Sequence, residues 1–265
     1  MKLKILRILL TAAVLLSGCS SVAITGRKQF LLVSDQEVLA SSLTQYKEYM
    51  QSATKSSSKT QTAMVTRVGQ KLAAATEKYL RENGRSSEIQ NFSWEFSLVQ
   101  NSEVNAFCMP GGKIVVYEGL MSLISSDDEL AVVVGHEVAH AVAKHSNERM
   151  SQQVLAQVGQ QVLSYSLANK SAAIQTLAGS VYGLGAQYGV MLPYSRKHET
   201  EADYMGAVLM TLAGYDADKA ITFWQKMSAS ASSKAPAFMS THPSDAKRIA
   251  DLKKSVPLIK QQYKN

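Results

Sequence analysis

Residues 136–140 of this 265-residue chain, His-Glu-Val-Ala-His, constrain its structure more than any other segment. Four residues correspond to about 400° of turn on an α-helix, so His136 and His140 lie one turn apart on a single face. Two neutral imidazoles at that spacing can bind one Zn²⁺ ion, and Glu137 can reach a water molecule beside it. The pattern predicts one zinc ion per chain, with Glu137 as the general base of a hydrolase.

The flanking sequence predicts that this motif lies on a buried helix. Ser126 and the acidic run that ends at Glu129 form a capping box with an acidic first turn, which is a helix-start signal. Residues 130–142 are apolar on almost every face, as in a helix at the centre of a domain. Histidines and a glutamate buried there are costly without a partner, and a metal ion supplies one.

A catalytic zinc ion usually has a third protein ligand. Ala143 and Ser146 occupy the positions at which metzincins carry a glycine and a third histidine, so that class is excluded. His145 lies about 140° around a continuous helix from His140 and is expected to point elsewhere, in a structural role. The remaining candidates lie in residues 195–203, which open a second helix.

Glu199 and Asp203 are four residues apart and share one face of that second helix. Such a pair suits one carboxylate on the metal and another that orients a histidine through its far N–H group. Glu201 lies about 200° from Glu199 and is expected to face solvent, and His198 is rotated off the shared face.

Several segments together resemble the gluzincin metallopeptidases of peptidase family M48, which include the Oma-type and CAAX prenyl proteases. The His-Glu-Val-Ala-His motif and the later Glu199-x-x-Ala202-Asp203 carry the resemblance. Further matches are Thr25-Gly26-Arg27-Lys28-Gln29-Phe30, Asn105 to Val116 with its Pro110-Gly111-Gly112, Leu192-Pro193-Tyr194-Ser195-Arg196, and His242-Pro243 with Arg248. The first of these resembles the lipoprotein branch of the family, and the matches cover most of the chain.

The resemblance implies that His136, His140 and Glu199 are the metal ligands. It also implies that Glu137 is the base and that Asp203 orients a histidine ligand. Cys108 is a departure, because relatives often carry a small apolar residue at that position.

The N-terminus resembles a bacterial lipoprotein signal. Three basic residues precede an apolar stretch over residues 8–16, which is too short for a permanent span. The following Leu16-Ser17-Gly18-Cys19 resembles a lipobox and predicts a signal peptide over residues 1–18 and lipid on Cys19. An ordinary secretory signal with an incidental cysteine is the alternative. Lipidation would leave Cys108 without a partner, so no intrachain disulfide is expected.

These features predict a lipid-anchored domain of the bacterial cell envelope that faces the periplasm. Ser20 after the lipidated cysteine is compatible with the outer membrane, which is expected rather than the inner one, although the sequence does not decide between them. The net charge of +7, from 28 basic and 21 acidic residues, becomes mild once a signal with three basic residues is removed. Basic residues are neither clustered nor interleaved with aromatic ones, so nucleic acid is not an expected partner.

The composition, 46% apolar and 18% charged, fits one globular domain. We expect a lipidated tether over residues 19–33, a zinc metallopeptidase domain over 34–255 and a C-terminal tail over 256–265. A capping box at Ser34 marks the start of the domain. The expected fold is α+β and mostly helical, with a small antiparallel β-sheet packed on the zinc helix.

Alternating apolar residues predict a strand over residues 92–99, and a hairpin is predicted from 104–108 and 113–117. The edge of such a hairpin can bind an extended substrate through backbone hydrogen bonds and hold it beside the metal. Asn105 and Ala106 are the candidate substrate-binding residues, and a purely structural hairpin is the alternative.

Residues 150–195 contain one charged side chain, Lys170, and a glycine-rich second half. They predict a helical pair that does not span a membrane. A buried helical layer is the favoured interpretation. The alternatives are a lid over the cleft or a surface that lies against the bilayer.

His242-Pro243 follows an expected flexible connection over residues 231–237 and precedes the last helix, with Ser244 as its cap. His242 could occupy the open metal position and silence the enzyme, or donate a hydrogen bond to the oxyanion on the substrate carbonyl. Arg248 or Tyr194 could fill the second role instead.

The expected function is zinc-dependent endopeptidase action, and the resemblance implies misfolded or mis-assembled envelope proteins as substrates. One rival is a chaperone or assembly factor for outer-membrane proteins with a latent zinc site, against which the intact Glu137 argues. A second rival is a structural lipoprotein that holds zinc only for stability, with a closed fourth position.

Overall fold

The computed structural model describes residues 19–187, 191–230, 237–242 and 246–263, without the side chains at 19, 193, 194 and 241. The predicted signal peptide over 1–18, most of the predicted connection over 231–237, Pro243 and the predicted cap Ser244 lie outside these residues. The side chain of Tyr194 also lies outside them.

The chain begins with the strands β1 (Cys19–Ser21) and β2 (Lys28–Phe30) and the helices α1 (Asp35–Ser52), α2 (Lys59–Glu82) and α3 (Ser86–Ile89). It continues with the strands β3 (Glu95–Val99), β4 (Ala106–Met109) and β5 (Lys113–Tyr117), and with the helices α4 (Glu118–Met121) and α5 (Asp127–Val142). The remaining helices are α6 (His145–Ser166), α7 (Ala172–Ala186), α8 (Leu192–Leu212), α9 (Asp218–Ser230), α10 (Ala237–Thr241) and α11 (Ala246–Tyr263).

The predicted α+β, mostly helical fold is confirmed. Both sequence signals for helix starts operate: Ser34 and Glu37 form a reciprocal capping box on α1, and the Ser126 hydroxyl accepts the Glu129 N–H at the start of α5. The predicted hairpin forms as β4 and β5, joined by a turn in which Gly111 and Gly112 have positive φ.

The sheet differs in one respect from the predicted antiparallel arrangement. Its strand order is β3-β5-β4, and β3 runs parallel to β5. This happens because β3 pairs with the second strand of the hairpin and not with β4, which follows it in the sequence. The sheet is therefore mixed, and β4 lies at its edge against α5.

Helices α5 and α8 pack against each other at the centre of the molecule, and two glycines lie where their backbones come close together. A Cβ atom at Gly206 would lie 3.1 Å from the backbone nitrogen of His136, and one at Gly135 would lie 3.3 Å from the Gly206 carbonyl oxygen. The absence of side chains at this crossing brings the carboxylates of α8 within reach of the histidines of α5.

Residues 19–33 are an ordered part of the domain, whereas the sequence suggested a tether. β1 and β2 pair as an antiparallel hairpin in which Val22 and Gln29 are buried. The Leu32 backbone N–H donates to Ser151 Oγ on α6 at 2.8 Å. Strands of three residues are too short to show an alternating pattern, so the pairing has no clear signal in the sequence.

The predicted tail over residues 256–265 also differs from the structure. Helix α11 continues to Tyr263, and it buries Val256 and Ile259 in the core although Pro257 lies within it. The apolar spacing of these two residues continues the buried face of the helix beyond the predicted boundary.

Helices α6 and α7 form the predicted pair, but the interpretation as a buried layer is wrong. No described residue of α7 is buried, and Tyr165 near the connection is 87% exposed. Large apolar side chains are exposed along both helices, including Val158, Val162, Leu177 and Val181. Within the described ranges, no helix is both long and apolar enough to cross a bilayer.

Candidate metal centre

Helices α5 and α8 bring the predicted metal-binding side chains to one point. His136 Nε2 lies 3.0 Å from His140 Nε2. Glu199 places Oε2 at 3.3 Å from His136 Nε2 and Oε1 at 3.4 Å from His140 Nε2. His242 joins this group, since its Nδ1 lies 3.0 Å from Glu199 Oε2. The four donor atoms all lie within 4.8 Å of one another.

These separations fit a tetrahedral zinc site. Bonds of about 2.0–2.1 Å to a central ion place tetrahedral ligand atoms about 3.3 Å apart. The observed spacings of 3.0 to 3.4 Å bracket that value. Two imidazoles and a carboxylate are also the donor types that zinc prefers, so this cluster could hold a metal ion.

The ring of His136 is fixed by Asp203 and Arg248. His136 Nδ1 lies 3.0 Å from Asp203 Oδ1, and Arg248 binds both carboxylate oxygens at 2.6 and 2.7 Å. Burial opposes charge on His136, but hydrogen bonds to Asp203 and Glu199 outweigh it and raise its pKa to about 9. Burial likewise opposes charge on Asp203, and Arg248 nevertheless lowers the pKa of that carboxyl.

His145 lies against His140, contrary to the prediction that it points elsewhere. The two Nδ1 atoms are 2.8 Å apart, and His145 is fully buried. The prediction assumed a continuous helix, but α5 ends at Val142 and Lys144 adopts a left-handed conformation with φ 56°. This bend turns the first residue of α6 back towards the second histidine of the motif.

Glu201 is buried, contrary to the prediction that it faces solvent. It does lie on the opposite side of α8 from Glu199, but the β1–β2 hairpin covers that side. Glu201 accepts hydrogen bonds from Arg27 Nε at 2.7 Å, from the Thr25 hydroxyl and from His145 Nε2 at 3.0 Å. Burial raises its pKa, and these hydrogen bonds together produce a net lowering.

Glu137 lies beside the cluster as expected of a base. It is buried, and desolvation raises the pKa of its carboxyl. A backbone hydrogen bond from Cys108 on β4 acts in the opposite direction. Its Oε1 atom has no hydrogen-bond partner among the described residues, so one acceptor remains directed into the site.

The outer edge of β4 borders this site. Tyr117 N–H donates to the Asn105 carbonyl at 3.1 Å, so the alternating antiparallel pattern turns the backbone groups of Ala106 and Cys108 away from β5. The Asn105 side chain accepts the Ala106 N–H at 2.9 Å. Cys108 and His140 also line a small cleft together with Pro110 and Gly111.

His242 lies between the other donors and the predicted base. Its Nε2 is 3.5 Å from Glu137 Oε1, and its ring stacks on Phe238 with centroids 4.4 Å apart. Arg248, predicted as a possible oxyanion donor, is buried, binds Asp203 through two nitrogens, and donates to the His242 carbonyl at 3.3 Å. Its geometry suits holding Asp203 and His242 in place.

Sequence reasoning missed three residues around the histidines: His145, Glu201 and Arg27. The available signal was the Thr25-Gly26-Arg27 segment, which matched the family pattern but had no assigned role. The glycine pair at 135 and 206 was also missed, although one of them directly precedes the first histidine of the motif.

Known proteins are similar to this chain over the segment that contains these residues. A model described as Peptidase family M48 matches residues 59–256. Mitochondrial metalloendopeptidase OMA1 of Schizosaccharomyces pombe is 38% identical over 173 residues, which are 64% of this chain and 49% of that protein. The OMA1 of Arabidopsis thaliana is 37% identical over 172 residues, 65% of this chain and 33% of that protein.

A bacterial relative is also similar. The Beta-barrel assembly-enhancing protease of Escherichia coli is 30% identical over 167 residues, 60% of this chain and 33% of that protein. The chain therefore spans half or less of the length of these three relatives. Because the family model covers most of its residues, the chain belongs to Peptidase family M48.

Proposed function

We propose that this chain is a zinc-dependent endopeptidase in which His136, His140 and Glu199 bind the metal. The observation that carries the proposal is the convergence of these three donors at tetrahedral spacing, with the buried carboxylate of Glu137 beside them. Membership of a peptidase family supports the same reaction.

Zn²⁺, when bound, would polarise the scissile carbonyl and acidify a water molecule. Glu137 accepts the proton of the attacking water and later delivers it to the leaving amine. Its burial suits this role, because a raised carboxyl pKa brings the group closer to the working pH. Asp203, held by Arg248, keeps the Nδ1 proton of His136 in place, so that Nε2 offers its lone pair to the metal.

The edge of β4 binds the substrate as an additional strand in this proposal. Ala106 and Cys108 direct their backbone groups outwards, beside Glu137. Their N–H groups are engaged by the Asn105 side chain and by Glu137, so their carbonyls are the groups with which a substrate strand would pair. An extended peptide paired with this edge would have its scissile carbonyl held near the metal ligands. The Asn105 side chain fixes the start of the strand.

The direct test is digestion of an unfolded test protein by the purified chain, with and without a chelator. Glu137→Gln is expected to reduce the rate by on the order of 10²- to 10⁴-fold while zinc remains bound. Glu82→Gln, an exposed carboxylate at the end of α2, is the matched control and should cleave normally. Chelator-resistant cleavage would refute the proposal.

His242 acts as a latch in this proposal. With His242 included, four protein donors surround one point, and the ring fills the space from which Glu137 would reach a water molecule. His242→Ala should therefore raise the cleavage rate and weaken zinc binding. Ser240→Ala, on the same short helix, is the control.

The alternative role of His242 as an oxyanion donor predicts the opposite result. His242→Ala would then lower the cleavage rate and leave the zinc affinity unchanged. A variant with normal cleavage and normal zinc affinity would refute both roles.

We also propose that the protein acts at the bacterial envelope, anchored by lipid on Cys19, on misfolded or mis-assembled proteins. The lipobox and the relative named as a Beta-barrel assembly-enhancing protease support this location. Cys19→Ser should move the protein from the membrane fraction to the soluble fraction, whereas Cys108→Ser should not. Membrane association of the Cys19→Ser variant would contradict lipid anchoring at that residue.

One observation favours a second candidate function, that of a holding or assembly factor. The exposed apolar side chains of α6 and α7 form a surface that unfolded proteins could contact. Glu137→Gln in cells discriminates between the two functions, because a holding factor would keep its full activity without the base.

A further inference from the structure

Among the residues that the structure describes, His140 has an imidazole behind its ring where His136 has a carboxylate. A buried chain of contacts runs instead from His140 Nδ1 to His145 Nδ1 at 2.8 Å, and from His145 Nε2 to Glu201 Oε2 at 3.0 Å. Arg27 Nε donates to the same Glu201 oxygen at 2.7 Å. We propose that His145, Glu201 and Arg27 are positioning residues that fix the tautomer and ring orientation of His140. This inference rests on the proposed role of His140 as a metal ligand.

The position of each hydrogen in this series of contacts follows from which atoms can only accept. The Glu201 carboxylate can only accept, so the hydrogen between it and His145 lies on His145 Nε2. A neutral His145 then has a lone pair on Nδ1, and the hydrogen between the two Nδ1 atoms lies on His140. His140 Nε2 is consequently left with its lone pair, and this atom is the one directed at the metal cluster.

The orientation of His145 is fixed by packing as well as by Glu201. Its ring stacks on that of His198 with centroids 4.2 Å apart and an interplanar angle of 16°. His198 Nε2 lies 2.9 Å from Glu148 Oε2. Both rings are buried, so neither can rotate without breaking this stack.

Arg27 connects the two carboxylates of this arrangement. Its Nη1 and Nη2 bind Glu148 at 2.9 and 2.7 Å, and its Nε binds Glu201. The β1–β2 hairpin presents the guanidinium, because Val22 N–H donates to the Arg27 carbonyl at 2.9 Å. One positive charge therefore serves two buried negative charges, and the N-terminal hairpin becomes part of the metal site.

The first test reads the tautomer in the metal-free wild-type chain and needs no variant. Nitrogen-15 NMR at about pH 8 should show His140 protonated at Nδ1 and unprotonated at Nε2. His145 should show the opposite arrangement, with its proton on Nε2. A His140 protonated at Nε2 would overturn the inference.

The second test measures zinc affinity by competition with a chelator. His145→Phe keeps a ring but removes the acceptor for the His140 proton, and it should weaken zinc binding by about 10- to 100-fold. His145→Gln offers a carbonyl oxygen to the same proton and should recover part of the loss. Equal losses in the two variants would show that only packing is involved and would overturn the inference.

Arg85→Ala is the matched control for the hairpin. Arg85 binds the Ser21 carbonyl and hydroxyl at 2.9 and 2.8 Å, so its removal loosens the same hairpin without touching Glu201. It should leave the zinc affinity unchanged, whereas Glu201→Leu should weaken it. A loss from Arg85→Ala as large as that from Glu201→Leu would contradict the inference.

The two tests separate this inference from the proposed enzyme function. A wild-type chain that fails to bind zinc refutes the proposed function, while the tautomer measurement still decides the arrangement behind His140. A wild-type chain that binds zinc with the same affinity as His145→Phe refutes the inference alone.

Discussion

The two histidines of the motif are held in different ways, although the contacts behind each ring lead to a carboxylate of α8. His136 contacts the Asp203 carboxylate directly, whereas His140 reaches Glu201 through a second imidazole, that of His145. Each carboxylate is paired with an arginine from a distant part of the chain. Asp203 and Glu201, two residues apart on one helix, can thus support the two proposed metal ligands because they lie on different faces.

The two supports also differ in depth. Arg248, which pairs with Asp203, is 4% exposed, whereas the Arg27 side chain, which pairs with Glu201, is 25% exposed. Solvent screens an exposed pair and leaves a buried pair almost unscreened. Removing a charged partner behind His136 is therefore expected to lower the free energy of unfolding more than removing one behind His140.

Asp203→Ala should have the largest effect on stability. It leaves the Arg248 guanidinium buried without its bidentate carboxylate, which costs about 3 to 5 kcal/mol in similar cases. Urea unfolding of the metal-free chain measures the loss, with Asp251→Ala on exposed surface as the control. A loss no greater than that of the control would contradict the difference between the two sides.

Arg27→Ala should cost less, about 2 kcal/mol, because solvent reaches the Arg27 side chain, which is 25% exposed. The two buried carboxylates that it leaves each keep a histidine partner, His198 for Glu148 and His145 for Glu201. The same unfolding measurement applies, with Arg85→Ala as the control. A loss equal to that of Asp203→Ala would mean that depth of burial does not distinguish the two supports.

Acid should destabilise the group of buried side chains behind His140 through the carboxyl of Glu148. Burial alone would raise the pKa of Glu148, but hydrogen bonds from His198 and Arg27 lower it from 4.5 to about 2. A lowered carboxyl pKa stabilises the fold fully above the unfolded value of about 4.5, and the benefit is lost as the pH falls towards 2. Wild type should lose about 1 kcal/mol between pH 6 and pH 4 that Glu148→Gln does not lose.

Unfolding of the metal-free protein in urea at the two pH values measures this difference. Parallel losses in wild type and Glu148→Gln would indicate that the Glu148 carboxyl is not perturbed in the folded state.

The smallest effect is expected from a substitution beside the start of α5, the helix that carries the motif. Arg67 binds Asp127 through two nitrogens at 2.7 and 2.8 Å, but the pair is exposed and screened by solvent. Arg67→Ala should leave zinc affinity and cleavage unchanged. A measurable loss of zinc affinity would show that the histidines are sensitive to the whole helix and not only to the groups behind their rings.

The sequence predicted the parts of the site that depend on spacing within one helix. His136 and His140 share a face of α5, and Glu199 and Asp203 share a face of α8. Capping residues and apolar periods likewise predicted the helices and the β4–β5 hairpin. These signals are local, so they are present in the order of residues alone.

The contacts that the sequence did not predict depend on features without a local signal. The left-handed conformation of Lys144 redirects His145, and only a tertiary structure shows that bend. Glu201 was placed in solvent because nothing in residues 19–33 indicated that they fold over α8. The exposure of α6 and α7 has no signal in the sequence, because an uncharged, apolar segment has the same composition whether it is buried or lies on an exposed surface.

The start of the first strand bears on the lipid anchor proposed at Cys19. Cys19 is itself the first residue of β1, paired with Phe30, and the hairpin packs directly on the domain. Acyl chains on Cys19 would hold the folded domain against the lipid headgroups with no spacer between them. Cleavage would then occur only within the thickness of one domain from the membrane surface, so substrates would have to reach the membrane to be cleaved.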